Sequence, residues 1–422
     1  MMRWLWWLGF LSVFALGRGA AALAEETPAP PERRNDVTLA AAVDERVAAL
    51  MGKYEIPAGA VAITKNDRLI HAAGYGFADR ERTTPVTPAT LFRIASLSKP
   101  ITCIAVLRLA DAGQLSLDDP AFDHLPRYQL SEIADLDERI RGVTIRQLLE
   151  HSAGWDRDAT FDPMFRAAEI AAELGEPAPA TPDMVIRYML RRKLDFEPGA
   201  KSVYSNFGYC LLGRVIENVT GKPYEQAVQE LVLTPAGIQR MRLGKSRLAE
   251  RAPGEVFYDD ETAGETTPSV FPIDTEPVSW CYGGFHLEAM DAHGGWLASP
   301  IDLARFVTAI DGRRGQALLS QTMLREMTAR PSHAGDDAYV GLCWNLRPAG
   351  DGVNWWHTGS LPGTSALLVR THHGYAWAAV FNDRPAGNRK RNAFHAELDA
   401  LFWEALEAAG APPHEDLFTR FP

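Results

Sequence analysis

A chain of 422 residues with 46% hydrophobic side chains and eleven tryptophans has enough apolar mass for a sizeable core, which excludes a disordered or low-complexity protein. Its net charge of −11, with no Lys/Arg-rich block, excludes nucleic acid as a partner, because phosphate binding needs a concentrated basic surface. Cys103, Cys210, Cys281 and Cys343 are scattered, allow three pairings of which none is selected, and show no Cys-x-x-Cys or His/Cys metal spacing.

Residues 1–24 read as an export signal, with Arg3 at a positive start, an apolar run from Trp4 to Leu16, and Ala22-Leu23-Ala24 before a cut at Glu25. The run is short for a membrane span. A periplasmic or secreted protein with no stable span after signal removal is expected. Residues 25–37 are Pro-rich and charged, a linker. Helical spacing over Ala40–Met51 predicts a helix, and Ala58–Ile63 with Leu69–Ala73 predicts a hairpin around Lys65-Asn66-Asp67.

The apolar run Ile101–Leu109 predicts a helix that begins near Ser96 and closes at Asp111–Gln114. Thr144 and Gln147 have capping-box spacing, which opens a short helix, Ile145–Glu150, ended by Gly154; His151 reads as a turn residue. Residues 156–182 are acidic, rich in Ala and Pro and weakly patterned, so they read as an insertion or lid-like excursion. Met184–Arg192 and Phe207–Val219 are helical, and Ser299-Pro300-Ile301-Asp302 opens a helix to Ile310. Strands are expected at Val353–Trp356, Ala366–Arg370 and Ala376–Phe381, followed by a terminal helix, Asn392–Ala408, packed on the sheet.

Three short patterns carry chemistry. A helix beginning near Ser96 places Ser96 and Lys99 on one face, about 5–6 Å apart at Cβ. A serine hydroxyl needs a neighbour to take its proton, and a helix N-terminus favours developing negative charge. Tyr204-Ser205-Asn206 sits where a loop meets a helix, so its side chains either face a cleft or simply pack and cap. His357-Thr358-Gly359 falls on a late edge strand. Each pattern alone is common; all three, each in a fitting context, seldom coincide by chance.

With these motifs the sequence resembles the penicillin-recognising serine hydrolases, in the branch of class C β-lactamases, D-alanyl-D-alanine carboxypeptidases and esterases. Phe92–Lys99, Leu148–Gly154, Phe196–Gly199, Gly294–Ser299 and His357–Gly363 match that branch, and the likeness spans roughly residues 38–408. It implies an α+β fold: an antiparallel sheet flanked by helices and built from both chain ends, with an inserted all-α domain. The sheet part would take about residues 38–95 and 290–408, the helical part about 96–289, and a tail 409–422.

The resemblance also implies roles. Ser96 would be acylated, with Lys99 or Tyr204 as base or proton relay, a choice that stays open at this point. Asn206, His357, Thr358 and Gly359 would bind substrate, and the N–H groups of Ser96 and Ser360 would form the oxyanion hole. The expected activity is hydrolysis of an ester or amide, of esterase or D-amino-acid peptidase type, on a small-molecule or peptide substrate. His357 is a departure: β-lactamases of this branch have Lys there, and His lacks a permanent charge at pH 7, which lowers a true β-lactamase to the alternative. A catalytically silent binding protein is a further alternative, against which Ser96, Lys99 and Tyr204 all remain present. A metal hydrolase using His286, His293, His372 and His373 lacks a His-x-x-x-His face, so no metal or other cofactor is expected.

Overall fold

Asn66 and Asp67 take positive φ values of 47° and 61°, a conformation their short polar side chains tolerate, and so turn the chain between strands β1 (Ala58–Lys65) and β2 (Arg68–Gly76). Ahead of this hairpin runs α1 (Leu39–Tyr54), its first turn capped by the Thr38 hydroxyl. The structure, a computed structural model, describes residues 38–421 other than 259–265, 313–316, 336 and 411. The export signal and linker read in residues 1–37 lie outside the described residues.

After β3 (Phe92–Arg93) comes α2 (Ser98–Asp111), followed by α3 (Ile145–Leu149), α4 (Ala167–Leu174), α5 (Pro182–Met189), α6 (Asn206–Thr220) and α7 (Tyr224–Val228). Short strands β4 (Arg242–Leu243), β5 (Thr266–Thr267), β6 (Val278–Ser279) and β7 (Trp296–Ala298) lead into α8 (Pro300–Asp311) and α9 (Gln321–Thr328). The chain closes with β8 (Tyr339–Val340), β9 (Asn345–Ala349), β10 (Gly352–Leu361), β11 (Thr364–Arg370), β12 (Tyr375–Phe381) and α10 (Asn388–Ala408).

Seven of these strands form one sheet in the order β2-β1-β12-β11-β10-β9-β8, every pair antiparallel. The β1–β12 ladder, with Gly59 opposite Phe381, joins the two ends of the described chain. Alternation along β12 then divides the core. Trp377, Ala379 and Phe381 pack with Val47 of α1 and Phe394, Leu398 and Phe402 of α10, whereas Ala376, Ala378 and Val380 face the cluster containing α2 and α6. Burying each such large apolar side chain contributes roughly 1.5–3 kcal/mol. The sheet is therefore covered on both faces, as an α+β architecture with helices between its two strand-forming parts requires.

Four local expectations change. The α-helix begins at Ser98, and Ser96 sits in a preceding 3₁₀ turn, Ala95–Leu97, because Ala95 adopts φ 47° and turns the chain out of β3 before helical bonding can begin. The short helix from Ile145 has its Thr144/Gln147 capping box but ends with His151 at φ 59°, three residues before Gly154. Strands also occur at residues 92–93, 242–243, 266–267, 278–279, 296–298, 339–340 and 345–349, too short or too irregular to show alternation. Finally, β10 is not an edge strand, since β9 pairs with Gly352–Trp356. Beyond Trp356 only β11 continues the ladder, so the His357–Leu361 half has one strand neighbour.

Candidate active site

The turn geometry around Ser96 fixes where its hydroxyl points. Ser96 is half-buried at the floor of a cleft of about 570 Å³, and the cleft is also lined by Tyr204, Asn206, His357, Thr358 and Ser360. Lys99, one turn further along, is fully buried beneath the floor. Its Nζ lies 3.3 Å from Ser96 Oγ and donates to Asn206 Oδ1 at 2.7 Å and to the His293 carbonyl at 3.0 Å. Tyr204 reaches the same alcohol from the opposite element, donating its O–H to Ser96 Oγ at 2.7 Å. The amine and the phenol thus flank one hydroxyl.

Local sequence explains how Tyr204 is held. Ser205 is the N-cap of α6 and accepts from the Gly208 N–H at 3.1 Å, so the helix starts at Asn206 and Tyr204 stays in extended chain. His151 locks that chain from the turn after α3: its Nδ1 accepts from the Ser205 N–H at 3.1 Å, and its carbonyl accepts from Val203 N–H at 2.8 Å. The His151 ring also stacks 4.6 Å from the Tyr204 ring. Asn206 does not cap. Its amide bridges Lys99 and the Asp162 carboxylate, to which Nδ2 donates at 2.6 Å.

Burial acts oppositely on the two groups beside Ser96. Desolvation disfavours an ammonium and pushes Lys99 down to about 7, with Arg157 acting in the same direction and Cys343 and Asp162 against it. Desolvation also disfavours a phenolate and lifts Tyr204 above the usual phenol range, opposed by the Ser96 hydrogen bond and Arg157. Near neutrality the site therefore holds a protonated phenol beside an amine that titrates. His357 is buried, and with Lys99 nearby it is lowered to about 3, so it is neutral. Its Nδ1 faces the Thr358 carbonyl at 2.7 Å and must donate, which makes Nε2 the unprotonated nitrogen.

Of the expected set, Gly359 does not line the cleft, and Lys99 lies buried beneath it. A Cβ there would stand 2.2 Å from the Ile94 carbonyl oxygen, so Gly359 is what lets β10 close against the segment leading to Ser96. The structure thus places it as a spacer between two main chains. His286, weighed as a metal ligand, bonds the Ala180 carbonyl through Nδ1, and His372 stacks on His373. Among the described residues no group of three or more His, Cys, Asp or Glu side chains is placed to hold a metal ion.

The model of the Beta-lactamase family matches residues 43–401. Penicillin-binding protein 4 of Amycolatopsis lactamdurans is 31% identical over 401 residues, covering 88% of this chain and 92% of that protein. The chain belongs to the beta-lactamase family. Two solved structures share its fold at low identity. The octameric penicillin-binding protein homologue from Pyrococcus abyssi has a TM-score of 0.64 at 23% identity, covering 90% of this chain and 79% of that one. The D-stereospecific amidohydrolase from Streptomyces sp. has a TM-score of 0.64 at 24% identity, covering 86% and 98%.

Within this beta-lactamase-family cleft, several groups carried no signal in the sequence. Arg157, Asp162 and Phe165 come from the weakly patterned segment after α3 and Cys343 from a turn between elements, while His293, weighed in the sequence only as a metal ligand, meets Lys99 through its carbonyl. Arg157 holds its guanidinium 4.6 Å from the centre of the Tyr204 ring and 3.8 Å from Asp162. His151 stands in the Leu148–Gly154 stretch that carries the family resemblance, but its sequence context reads as a turn residue and not as a cleft group. Among the described residues no helix is long and apolar enough to cross a membrane.

Proposed function

We propose that this member of a hydrolase family is a serine acyl hydrolase that forms an acyl-enzyme at Ser96 and cleaves an ester or an amide, as an esterase or a D-amino-acid peptidase does. The observation that carries this reading is one alcohol at a cleft floor with a phenol O–H at 2.7 Å and a buried amine at 3.3 Å. Because burial lowers Lys99 and raises Tyr204, Lys99 is the base and Tyr204 the relay. Ser96 Oγ attacks the substrate carbonyl carbon while its proton passes to neutral Lys99 Nζ. The negative charge on the carbonyl oxygen meets the N–H groups of Ser96 and Ser360, where one donor is typically worth about 10²–10³ in rate.

Collapse breaks the bond to the leaving alcohol or amine, which takes a proton delivered through Tyr204. Water then attacks the acyl carbonyl while its proton passes by way of the Tyr204 hydroxyl to neutral Lys99; collapse breaks the bond between the acyl carbon and Ser96 Oγ, Lys99 returns the proton to Oγ, and the acid departs. Asn206, His357 and Thr358 form the walls against which the acyl group is oriented. A neutral His357 offers no fixed cation to a lactam carboxylate, which favours esters and D-amino-acid amides over β-lactams. The export signal read in residues 1–24 supports a periplasmic or extracellular site for this activity.

One preparation assayed on short-chain nitrophenyl esters, a D-alanyl-D-alanine peptide and nitrocefin tests the reading. The expected result is turnover of an ester or the peptide, with nitrocefin slower by about 10²-fold or more in kcat/KM, unaffected by a chelator. Folded protein that turns over none of the three, or that a chelator silences, contradicts it.

A further inference from the structure

The bond from Asn206 to Asp162 leaves a carboxylate beneath the cleft that the reaction above does not use. Asp162 lies on the segment between α3 and α4, its side chain only 15% exposed. One of its oxygens, Oδ1, accepts from the Met164 N–H at 3.1 Å, which pins the side chain at the start of a 3₁₀ turn. The other, Oδ2, accepts from Asn206 Nδ2 at 2.6 Å and stands 3.8 Å from the Arg157 guanidinium. An ionised carboxylate can only accept and an ammonium can only donate. An amide held between them therefore has a single orientation, with Nδ2 toward Asp162 and Oδ1 toward Lys99.

We propose that Asp162 is a positioning residue of the Ser96 centre: it fixes the Asn206 amide so that its oxygen receives Lys99, and with Arg157 it sets the charge felt by that amine. This rests on the serine-hydrolase reading and deepens it. Asp162 and Arg157 act on Lys99 in opposite senses, the carboxylate favouring its charged form and the guanidinium opposing it. Other groups face Lys99 as well. Tyr204 and Tyr209 approach it from the α6 end, with ring centres 4.5 and 5.7 Å from Nζ; Cys343 acts on it, and it acts in turn on His151, His293 and His357. Burial sets most of the Lys99 shift, and on top of it Asp162 and Arg157 are the carboxylate and guanidinium whose opposite pulls can be removed one at a time.

The test is the pH profile of kcat/KM for Asp162→Asn and Arg157→Gln beside the wild type, with a nitrophenyl ester as substrate and a fluorophosphonate as probe of Ser96. Asn keeps the capping ability toward Met164, which preserves the turn. The expected result for Asp162→Asn is an acidic limb moved down by roughly 0.5–1 pH unit, because the charge that stabilised the ammonium is gone. Its plateau should also fall about tenfold as the amide loses its single orientation. Arg157→Gln should move the limb up, and Asp162→Glu, which keeps the carboxylate, should keep the wild-type midpoint. Loss of a merely structural contact would not shift the two profiles in opposite directions. Unshifted midpoints, or shifts of the same sign, overturn the proposal while Ser96 labelling leaves the hydrolase reading standing. A wild type that does not label overturns both.

Discussion

Replacing Lys99 by Met lowers kcat/KM for an ester by about 10²–10⁴-fold, the range that a positioned base supplies. It does so without unfolding the protein. Lys99 is fully buried, and holding its ammonium there is costly enough to bring the group down to about 7. Met fills the same volume without that cost, although the Asn206 and His293 acceptors lose their donor. Wild-type kcat/KM should rise through an acidic limb centred near pH 7, because deprotonation creates the base, and the residual activity of Lys99→Met should lack that limb. A variant that keeps both the rate and the limb would move the base elsewhere. A pH series of initial rates with circular dichroism on the same samples distinguishes loss of chemistry from loss of fold.

Gly359→Ala produces the second large effect, through backbone instead of chemistry. The new Cβ falls 2.2 Å from Ile94 O and 3.3 Å from Ala366 Cβ, and no rotamer change relieves a contact between two main chains. Ile94 is itself tied, its N–H bonding the Trp296 carbonyl at 3.0 Å, so β10 or the turn that carries Ser96 must give way. Overpacking of this kind costs about 1–3 kcal/mol, and displacement of the nucleophile by about 1 Å costs on the order of 10²-fold in rate. Thermal melts and kcat/KM should fall together. Wild-type activity in Gly359→Ala would mean that β10 and the Ser96 turn are not held against each other.

These two residues mark what was legible in the sequence and what was not. Ser96, Lys99, Tyr204, Asn206 and His357 each stand in a short pattern whose spacing has a local structural meaning, so helix starts and a strand could be read around them. The structure brings all five to one cleft or its floor. The sheet from both chain ends was likewise legible, because β1, β2, β11 and β12 are apolar runs bounded by turns. Asp162 was not, because its meaning lies in a partner 44 positions away and its own segment has no periodicity. Ala95 was not, because a positive φ in a non-glycine residue is imposed by its surroundings, not by its own propensity. The edge position expected for the His357 motif holds for its own half of β10, which has β11 as its one strand neighbour, whereas the first half is covered by the short Asn345–Ala349 strand that showed no alternation in the sequence.

The most direct measurement is intact-protein mass spectrometry after reaction with a fluorophosphonate, followed by peptide mapping of the adduct. A single adduct on the peptide that contains Ser96, absent from Ser96→Ala together with ester turnover, is the predicted result. An adduct on another residue, or a Ser96→Ala protein that still labels and still turns over ester, would contradict it.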